Sequence, residues 1–233
     1  MIPENYIKIH DKGYVGLVDY MGDDSKVVNS ARISFNKKID GDLAEKDEKL
    51  LKYLWTNGHK SVFRHCSLTF EVYAPLMVAR QWLKYSVASA HLEDQNGWNE
   101  SSRRYVTEEP EFYIPNANQW RSTPANKKQG SGKNLNNGIG YAYTLLLEEY
   151  ISQGEKLYKQ ALDENICAEQ ARLFLPSYGM YLRWYWTCSL ASLMHFLTER
   201  LDSHAQFEMQ VYASAVRALA MEKFPLSIGL LDD

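Results

Sequence analysis

The chain has 233 residues, which is enough for one large domain or two small ones with ample chain for a core. Hydrophobic residues make up 45% and charged residues 24%, the ordinary balance of a soluble globular protein. The net charge of -3 gives no reason to expect a nucleic-acid partner.

The cysteines and the N-terminus indicate the compartment. Cys66, Cys167 and Cys188 occur at no metal-like spacing, and an odd number argues against a disulfide framework. We interpret all three as buried small hydrophobic residues. The N-terminus has no basic region followed by an apolar run, and no apolar segment is long enough to span a bilayer. We therefore expect a cytoplasmic protein, in a host cytoplasm if the source is viral, with no membrane partner.

The first third of the chain alternates strand and helix signals. Residues 6–10 and 14–20 alternate around an Asp-Lys-Gly turn and predict a hairpin. Asp23-Asp24-Ser25 predicts the N-cap of a helix that runs to residue 35. Residues 44–55 predict a second helix, which Asn57-Gly58 ends.

A strand and a helix follow directly. Residues 67–73 (SLTFEVY) predict a strand with Leu68, Phe70 and Val72 on one face. Pro75 is a suitable first-turn residue for the next helix. Four residues of that helix are expected to be buried: Leu76, Met77, Val78 and Leu83.

The second half of the chain is mainly helical. A short strand is predicted at 111–114, helices at 141–162, 167–175, 190–201 and 203–223, and a further strand at 181–188. Residues 116–137 are rich in Pro, Gly, Ser, Asn and Lys and predict an exposed insertion. Separated strands and several helices favour an α+β domain over an alternating parallel sheet.

Residues 99–105 (NESSRRY) form the densest polar cluster of the chain, and they follow the helix that contains Arg80-Gln81-Trp82. Guanidinium forks and serine hydroxyls at this density suit a phosphate. A solvated loop with helix-capping serines is the alternative.

Two further stretches are candidates for a site. His59 and His65 flank a turn before a strand, and without a nearby carboxylate or thiolate they favour no metal. His59 is either a stacking group in a pocket, with Ser61 as a phosphate donor, or a satisfied turn histidine. Arg200 ends one predicted helix, and Asp202 or Ser203 is expected to cap the next. Arg200 either points into a cleft or forms surface ion pairs.

Arg172 lies among Ala171, Leu173 and Phe174, near the end of a predicted helix. We interpret it as a half-buried arginine, which needs an anionic partner from the protein or from a ligand. The chain contains no Gly-rich phosphate loop and no Ser-His-Asp elbow.

Three motifs occur in one order: Arg80-Gln81-Trp82, residues 99–105, and residues 200–206 (RLDSHAQ). With them the chain resembles the flavin-dependent thymidylate synthase family over nearly all of its length. The resemblance implies a single domain over residues 1–233 with a thymidylate synthase-complementing-protein-like α+β fold and a mixed or antiparallel sheet. It also implies a homotetramer with active sites shared between subunits. The implied reaction is the reductive methylation of dUMP to dTMP, with methylenetetrahydrofolate as carbon donor and NADPH as reductant through FAD.

The resemblance also implies the site residues. Arg200 is the implied catalytic residue, which would stabilise negative charge at the N3–O4 edge of the uracil. The implied dUMP site consists of Gln81, Lys84, Glu100, Ser101, Ser102, Arg103, Arg104, Arg172 and Arg200. The implied FAD and folate site consists of His59, Ser61, Lys84, Tyr85, Ser86, Glu100, Ser189 and His195, and no metal is implied.

The chain departs from the family pattern mainly on the flavin side. The family's Arg-His-Arg after Arg80-Gln81-Trp82-Leu83 is here Lys84-Tyr85-Ser86, and an insertion covers about residues 91–98. A later Asn-Ala-Arg is here Ser189-Leu190-Ala191, and a following Asn is His195. Three hypotheses follow: a divergent flavin-dependent thymidylate synthase of a phage or bacterium, a pyrimidine-nucleotide hydroxymethylase, and a non-catalytic nucleotide-binding homologue with weakened flavin binding.

Overall fold

The computed structural model describes residues 3–33, 38–88, 97–101, 109–125 and 130–232. Its strands are β1 (Tyr6–Ile9), β2 (Gly13–Met21), β3 (Ser67–Pro75), β4 (Gly97–Glu100) and β5 (Tyr181–Ser189). They form one antiparallel sheet in the order β1-β2-β3-β5-β4. The predicted hairpin and the predicted α+β class are confirmed, and the pairing between these strands is antiparallel throughout.

The helices follow the predicted order. They are α1 (Asp24–Arg32), α2 (Glu45–Thr56), α3 (Leu76–Ala88), α4 (Asn137–Asp163), α5 (Ala168–Ala171), α6 (Leu190–Arg200), α7 (Phe207–Met221) and α8 (Pro225–Gly229). Short 3-10 turns lie at Lys60–His65, Arg172–Phe174, Ser177–Gly179 and Leu230–Asp232. The predicted cap of α1 is confirmed, because the Asp23 carboxylate accepts the backbone N–H of Lys26 at 2.8 Å. In the described part of the chain no helix is long and apolar enough to cross a membrane.

The core lies between the sheet and the helices. Phe70 on β3 pairs with Trp186 on β5, Val72 pairs with Trp184, and all four side chains are buried. Trp82 of α3 meets both tryptophans edge-on, with ring centroids 5.5 and 5.3 Å apart. This aromatic cluster anchors α3 to the sheet and thereby sets the position of the polar residues that flank Trp82.

Several local predictions are wrong. Pro75 is the last residue of β3, paired with Tyr181, and α3 begins one residue later. Residues 111–114 form no strand, since only Phe112 pairs, through a single bridge to Met180. Leu83, which is predicted to be buried, is 36% exposed. Cys167 is exposed, whereas Cys66 and Cys188 are buried as predicted.

The junction before α7 also differs from its prediction. Asp202 and Ser203 do not cap that helix, which begins at Phe207 with Gln206 at the N-cap position. Asp202 instead accepts the backbone N–H of His204 at 2.7 Å and so closes a turn over residues 201–206. The turn, residues 201–206, separates α6 from α7 and lies next to the end of α6.

Residues 116–125 and 130–137, predicted as an exposed insertion, are tied to the rest of the fold. The Trp120 indole donates to Thr144 of α4 at 3.0 Å, and Thr144 donates to the carbonyl of Pro115 at 2.8 Å. The backbone N–H of Leu135 donates to the carbonyl of Trp120 at 2.7 Å. These bonds bring this segment over the cleft described below, and its described residues are exposed or half-buried.

Candidate active site

A cleft of about 520 Å³ opens where α3, the end of α6 and the turn before α7 meet. Three of the residues predicted for the nucleotide site, Gln81, Lys84 and Arg200, line it together. Its other described lining residues are Arg121, Gly130, Ser131, His204, Ala205, Gln206, Phe207 and Glu208.

Arg200 is held by α3 on two sides. Its Nη2 donates to the carbonyl of Gln81 at 3.0 Å, and its guanidinium carbon lies 3.9 Å from the centroid of the Tyr85 ring. Its buried Nε has no hydrogen-bond partner among the described residues. Burial lowers the pKa of Arg200 from its ordinary value while Tyr85 and Glu199 raise it, and an arginine remains charged nonetheless. The cleft therefore contains a charged, partly desolvated guanidinium, and no described residue accepts a hydrogen bond from its Nε.

A chain of hydrogen bonds crosses the cleft wall from Gln81 to Arg121. The Gln81 amide donates to Gln206, whose own amide donates to Glu208 at 2.8 Å. Arg121 donates to the other oxygen of Glu208. Although burial alone favours the neutral acid, the bonds from Arg121 and Gln206 outweigh it, so the pKa of Glu208 lies below its ordinary value.

The Arg121–Glu208 pair is also the wall of a second cavity of about 570 Å³. Aromatic and aliphatic side chains dominate that cavity, including Phe112, Trp120 and Tyr178. The pair, Gln206, Gly130 and Ser131 line both spaces. A substitution in this pair therefore changes the lining of both cavities.

The cleft has the electrostatics of an anion site. Lys84, Arg121 and Arg200 contribute three cationic groups to its described lining, while Glu208 contributes a carboxylate that Arg121 already neutralises. A phosphorylated ligand is the natural counter-ion for such a lining. No group of His, Cys, Asp or Glu in the described ranges is arranged to hold a metal ion.

The other predicted nucleotide residues lie elsewhere or outside the described ranges. Glu100 ends the edge strand β4 and is exposed, and Ser101 continues the pairing by donating its backbone N–H to the carbonyl of Arg183 at 2.8 Å. Ser102, Arg103 and Arg104 lie outside the described residues. Arg172 is exposed on a 3-10 turn, so its interpretation as half-buried is wrong. It does not line the cleft of its own chain.

The residues predicted for the flavin and folate are distributed over α3, β4, α6 with its N-cap, and the turn before β3. Tyr85 lies 5.4 Å from the ring of His195, and its hydroxyl donates to Glu199 at 3.1 Å. Ser189 is 7% exposed and caps α6 by accepting the N–H of Ser192, which gives it a structural role. His59, 6.1 Å from the ring of Tyr53, and Ser61 are exposed on the turn before β3. The side chain of Ser86 lies outside the described residues.

Among the cleft residues that were not singled out from the sequence as site residues, Arg121, Gln206 and Glu208 form the hydrogen-bond chain. Gln206 closes the RLDSHAQ motif, and Glu208 lies two positions beyond it, so proximity to the motif was a usable signal. Arg121 lies in a segment whose composition indicates a loop, and nothing in its neighbours marks it.

Comparison with protein families gives one clear match. The model of the family described as thymidylate synthase complementing protein matches residues 16–226. A flavin-dependent thymidylate synthase of Thermosipho africanus is 40% identical over 218 residues, covering 94% of this chain and 90% of that protein. One of Thermotoga neapolitana is 38% identical over 219 residues, with the same coverage of 94% and 90%.

Solved structures agree with the sequence relatives. The crystal structure of a UMP/dUMP methylase, PolB from Streptomyces cacaoi, bound with 5-Br UMP, superposes with a TM-score of 0.80. It is 26% identical, and the match covers 96% of this chain and 95% of that one. A structure of the same methylase bound with 5-Br dUMP also gives a TM-score of 0.80.

Proposed function

The chain belongs to the thymidylate synthase complementing protein family, and we propose that it is a flavin-dependent thymidylate synthase that methylates dUMP to dTMP. The single observation that carries the proposal is Arg200, a charged arginine at the end of α6 that lines a cleft together with Lys84 and Arg121. A ligand with a negatively charged edge is stabilised by such a lining.

Arg200 acts on the pyrimidine in this proposal. Negative charge builds up at the N3–O4 edge of the uracil as C5 becomes nucleophilic, and a preorganised guanidinium at that edge stabilises it. Gln81 supports this arrangement twice, because its carbonyl accepts from Arg200 and its amide belongs to the chain that ends at Arg121. The proposal needs no cysteine nucleophile, in line with Cys66 and Cys188 being buried with thiol pKa values raised by burial.

The phosphate of dUMP requires further cations. Lys84 supplies one from the cleft itself. We assign the others to Arg103 and Arg104 of the polar cluster that also contains Glu100, with Ser101 and Ser102 as neutral donors, because serine hydroxyls and arginine forks suit a phosphate monoester.

The assembly proposed is a homotetramer of single-domain chains with shared sites. Helix α4 exposes an apolar surface unusual for a monomer, with Tyr141, Tyr143, Leu145, Leu146 and Tyr150 each 45–59% exposed. Leu173, 80% exposed, and Phe174, 46% exposed, extend it next to Arg172. If a second subunit covers this surface, Arg172 reaches the nucleotide site of a neighbour, which accounts for its distance from the cleft of its own chain.

A flavin is the cofactor expected from the family, and we propose that it is FAD. The residues on the flavin side suit it chemically: His59 and His195 offer rings for a planar group, and Lys84 offers a cation for a diphosphate. When bound, the flavin would carry two electrons from NADPH to the carbon unit that methylenetetrahydrofolate supplies. Residues of this chain bind and orient dUMP next to it.

The experiment incubates purified protein with dUMP, methylenetetrahydrofolate, NADPH and FAD and measures product mass. A product heavier than dUMP by one CH2 group supports the proposal, and one heavier by a further oxygen supports the hydroxymethylase. Tight dUMP binding without flavin absorbance or turnover supports the non-catalytic homologue. UMP is assayed in parallel as a second candidate substrate, because the similar Streptomyces cacaoi structure is that of a UMP/dUMP methylase.

A further inference from the structure

Tyr85 contacts two consecutive residues of α6. Its hydroxyl donates to the carboxylate of Glu199 at 3.1 Å, and its ring face covers the guanidinium of Arg200 at 3.9 Å. The contact joins α3 to α6 across 114 positions of sequence separation. The sequence places Tyr85 on the flavin side of the site, but these contacts place it on the arginine proposed to touch the nucleotide.

The two contacts with α3 restrict Arg200 in complementary ways. The bond from Nη2 to the carbonyl of Gln81 fixes one corner of the fork, and the Tyr85 ring fixes the plane. With only the first contact, the guanidinium is free to rotate about that bond and turn its Nε away from the cleft. An arginine side chain has many rotamers, so an ordered fork depends on such packing.

Glu199 keeps the ring in place without competing for Arg200. Burial and the hydrogen bond to Glu199 raise the pKa of Tyr85 while the charge of Arg200 lowers it, so the phenol stays protonated and donates. Among the described residues, His195 on α6 is a further titratable group packed on this ring, with ring centroids 5.4 Å apart. A protonated phenol presents a neutral ring face to the guanidinium, which is the arrangement that cation–π attraction requires.

We propose that Tyr85 is a positioning residue for Arg200, so that its ring sets the plane in which the guanidinium meets the pyrimidine. The proposal rests on the function proposed above. It predicts that the ring of Tyr85 matters for the chemical step and matters little for flavin binding.

The test compares Tyr85→Leu and Tyr85→Phe with the unaltered enzyme in the presence of FAD. Tyr85→Leu removes the ring and is expected to lower kcat/KM for dUMP by about 10- to 30-fold, mainly through kcat. Tyr85→Phe keeps the ring and loses only the bond to Glu199, so it is expected to stay within about threefold. FAD occupancy, measured from flavin absorbance, is expected to be equal in all three proteins.

A matched control is available outside the cleft. Lys223 lies over the ring of Tyr20 at 5.2 Å, so Tyr20→Leu removes a cation–π contact of the same kind at an exposed position. Its kinetics should equal those of the unaltered enzyme. In an Arg200→Lys background, Tyr85→Leu should lower kcat/KM for dUMP by a smaller factor than it does alone, because the planar fork that it positions is gone.

Three outcomes would overturn the inference while leaving the proposed function standing: unchanged kinetics in Tyr85→Leu, loss of FAD with intact kcat in the flavin-saturated protein, or equal damage in Tyr85→Phe. By contrast, an unaltered enzyme that neither binds nor methylates dUMP would remove the proposed function itself. A loss of melting temperature in Tyr85→Leu with full kcat/KM would show a merely structural role.

Discussion

The Arg121–Glu208 pair offers a sharp test of the cleft wall. The Glu208 side chain is 5% exposed and that of Arg121 18%, so Arg121→Met leaves a buried carboxylate that the neutral amide of Gln206 hydrogen-bonds without neutralising it. Breaking a buried ion pair by removing one partner typically costs roughly 3–5 kcal/mol. In a chain of this length that corresponds to a fall in melting temperature of roughly 6–20 °C.

Calorimetry on three variants measures this effect. Arg121→Met should show the full fall, and adding Glu208→Gln should recover most of it, because the double variant has no buried charge left unpaired. Arg217→Met is the matched control: Arg217 pairs with Asp232, whose side chain is 64% exposed, and such a pair is worth at most about 1 kcal/mol. If Arg121→Met and Arg217→Met unfold at the same temperature, the pair does not support the wall.

The pH dependence gives the same reasoning a second readout. In the unaltered protein the pKa of Glu208 lies below its ordinary value of 4.5, so the pair contributes stability above that pH and loses it as the pH falls through the lower folded-state pKa. In Arg121→Met burial dominates, and the carboxyl takes up a proton more readily in the folded protein than in the unfolded chain. The cost of the substitution should therefore shrink as the pH is lowered towards 4, and a constant cost would refute the assignment.

Three further predictions concern the fold. Gly140→Ala should destabilise the fold in urea denaturation despite the better helix propensity of alanine, because the added Cβ would lie 1.8 Å from the carbonyl oxygen of Ala117. Gly229→Ala is the control, because a Cβ there meets no described atom within 4 Å. His10 has a pKa that burial and Arg121 lower and that Glu208 and Asp11 raise, with burial the largest effect. Stability should therefore fall as the pH drops below the ordinary histidine value of 6.5, and His10→Asn, which tolerates the backbone φ of 55° there, should flatten that dependence in urea titrations. Leu146→Glu on α4 should reduce the proposed homotetramer to smaller species by native mass spectrometry, whereas Lys156→Glu on the same helix should not.

The sequence predicted those elements that are determined by residues nearby in the chain. The hairpin of β1 and β2 follows from alternation around a Gly-containing turn, and the start of α1 follows from Asp23, whose carboxylate needs only a neighbour three positions away. Where the cause is distant, the same reasoning gives less. Composition at 116–137 indicates a loop, but it does not indicate the bond between Trp120 and Thr144 that fixes this loop to α4.

The residues of the candidate site show the same difference between causes that are near in the sequence and causes that are distant. Gln81, Lys84 and Arg200 were found because they belong to motifs, and they do meet in one cleft. Arg121 was missed because its partner, Glu208, is 87 positions away and neither residue is unusual in its own neighbourhood. Arg172 was misjudged because flanking Leu and Phe normally indicate burial, whereas here they lie on an exposed surface.

Tyr85 changes how the departures from the family pattern are to be understood. Counted along the sequence, Lys84-Tyr85-Ser86 and Ser189 to His195 are substitutions on the flavin side, and Arg200 belongs to a retained nucleotide side. In the fold, α3 and α6 pack together, so Tyr85 contacts Glu199, Arg200 and the neighbourhood of His195 at once. On the proposal that Tyr85 positions Arg200, a substitution on the flavin side therefore alters the orientation of an arginine on the nucleotide side.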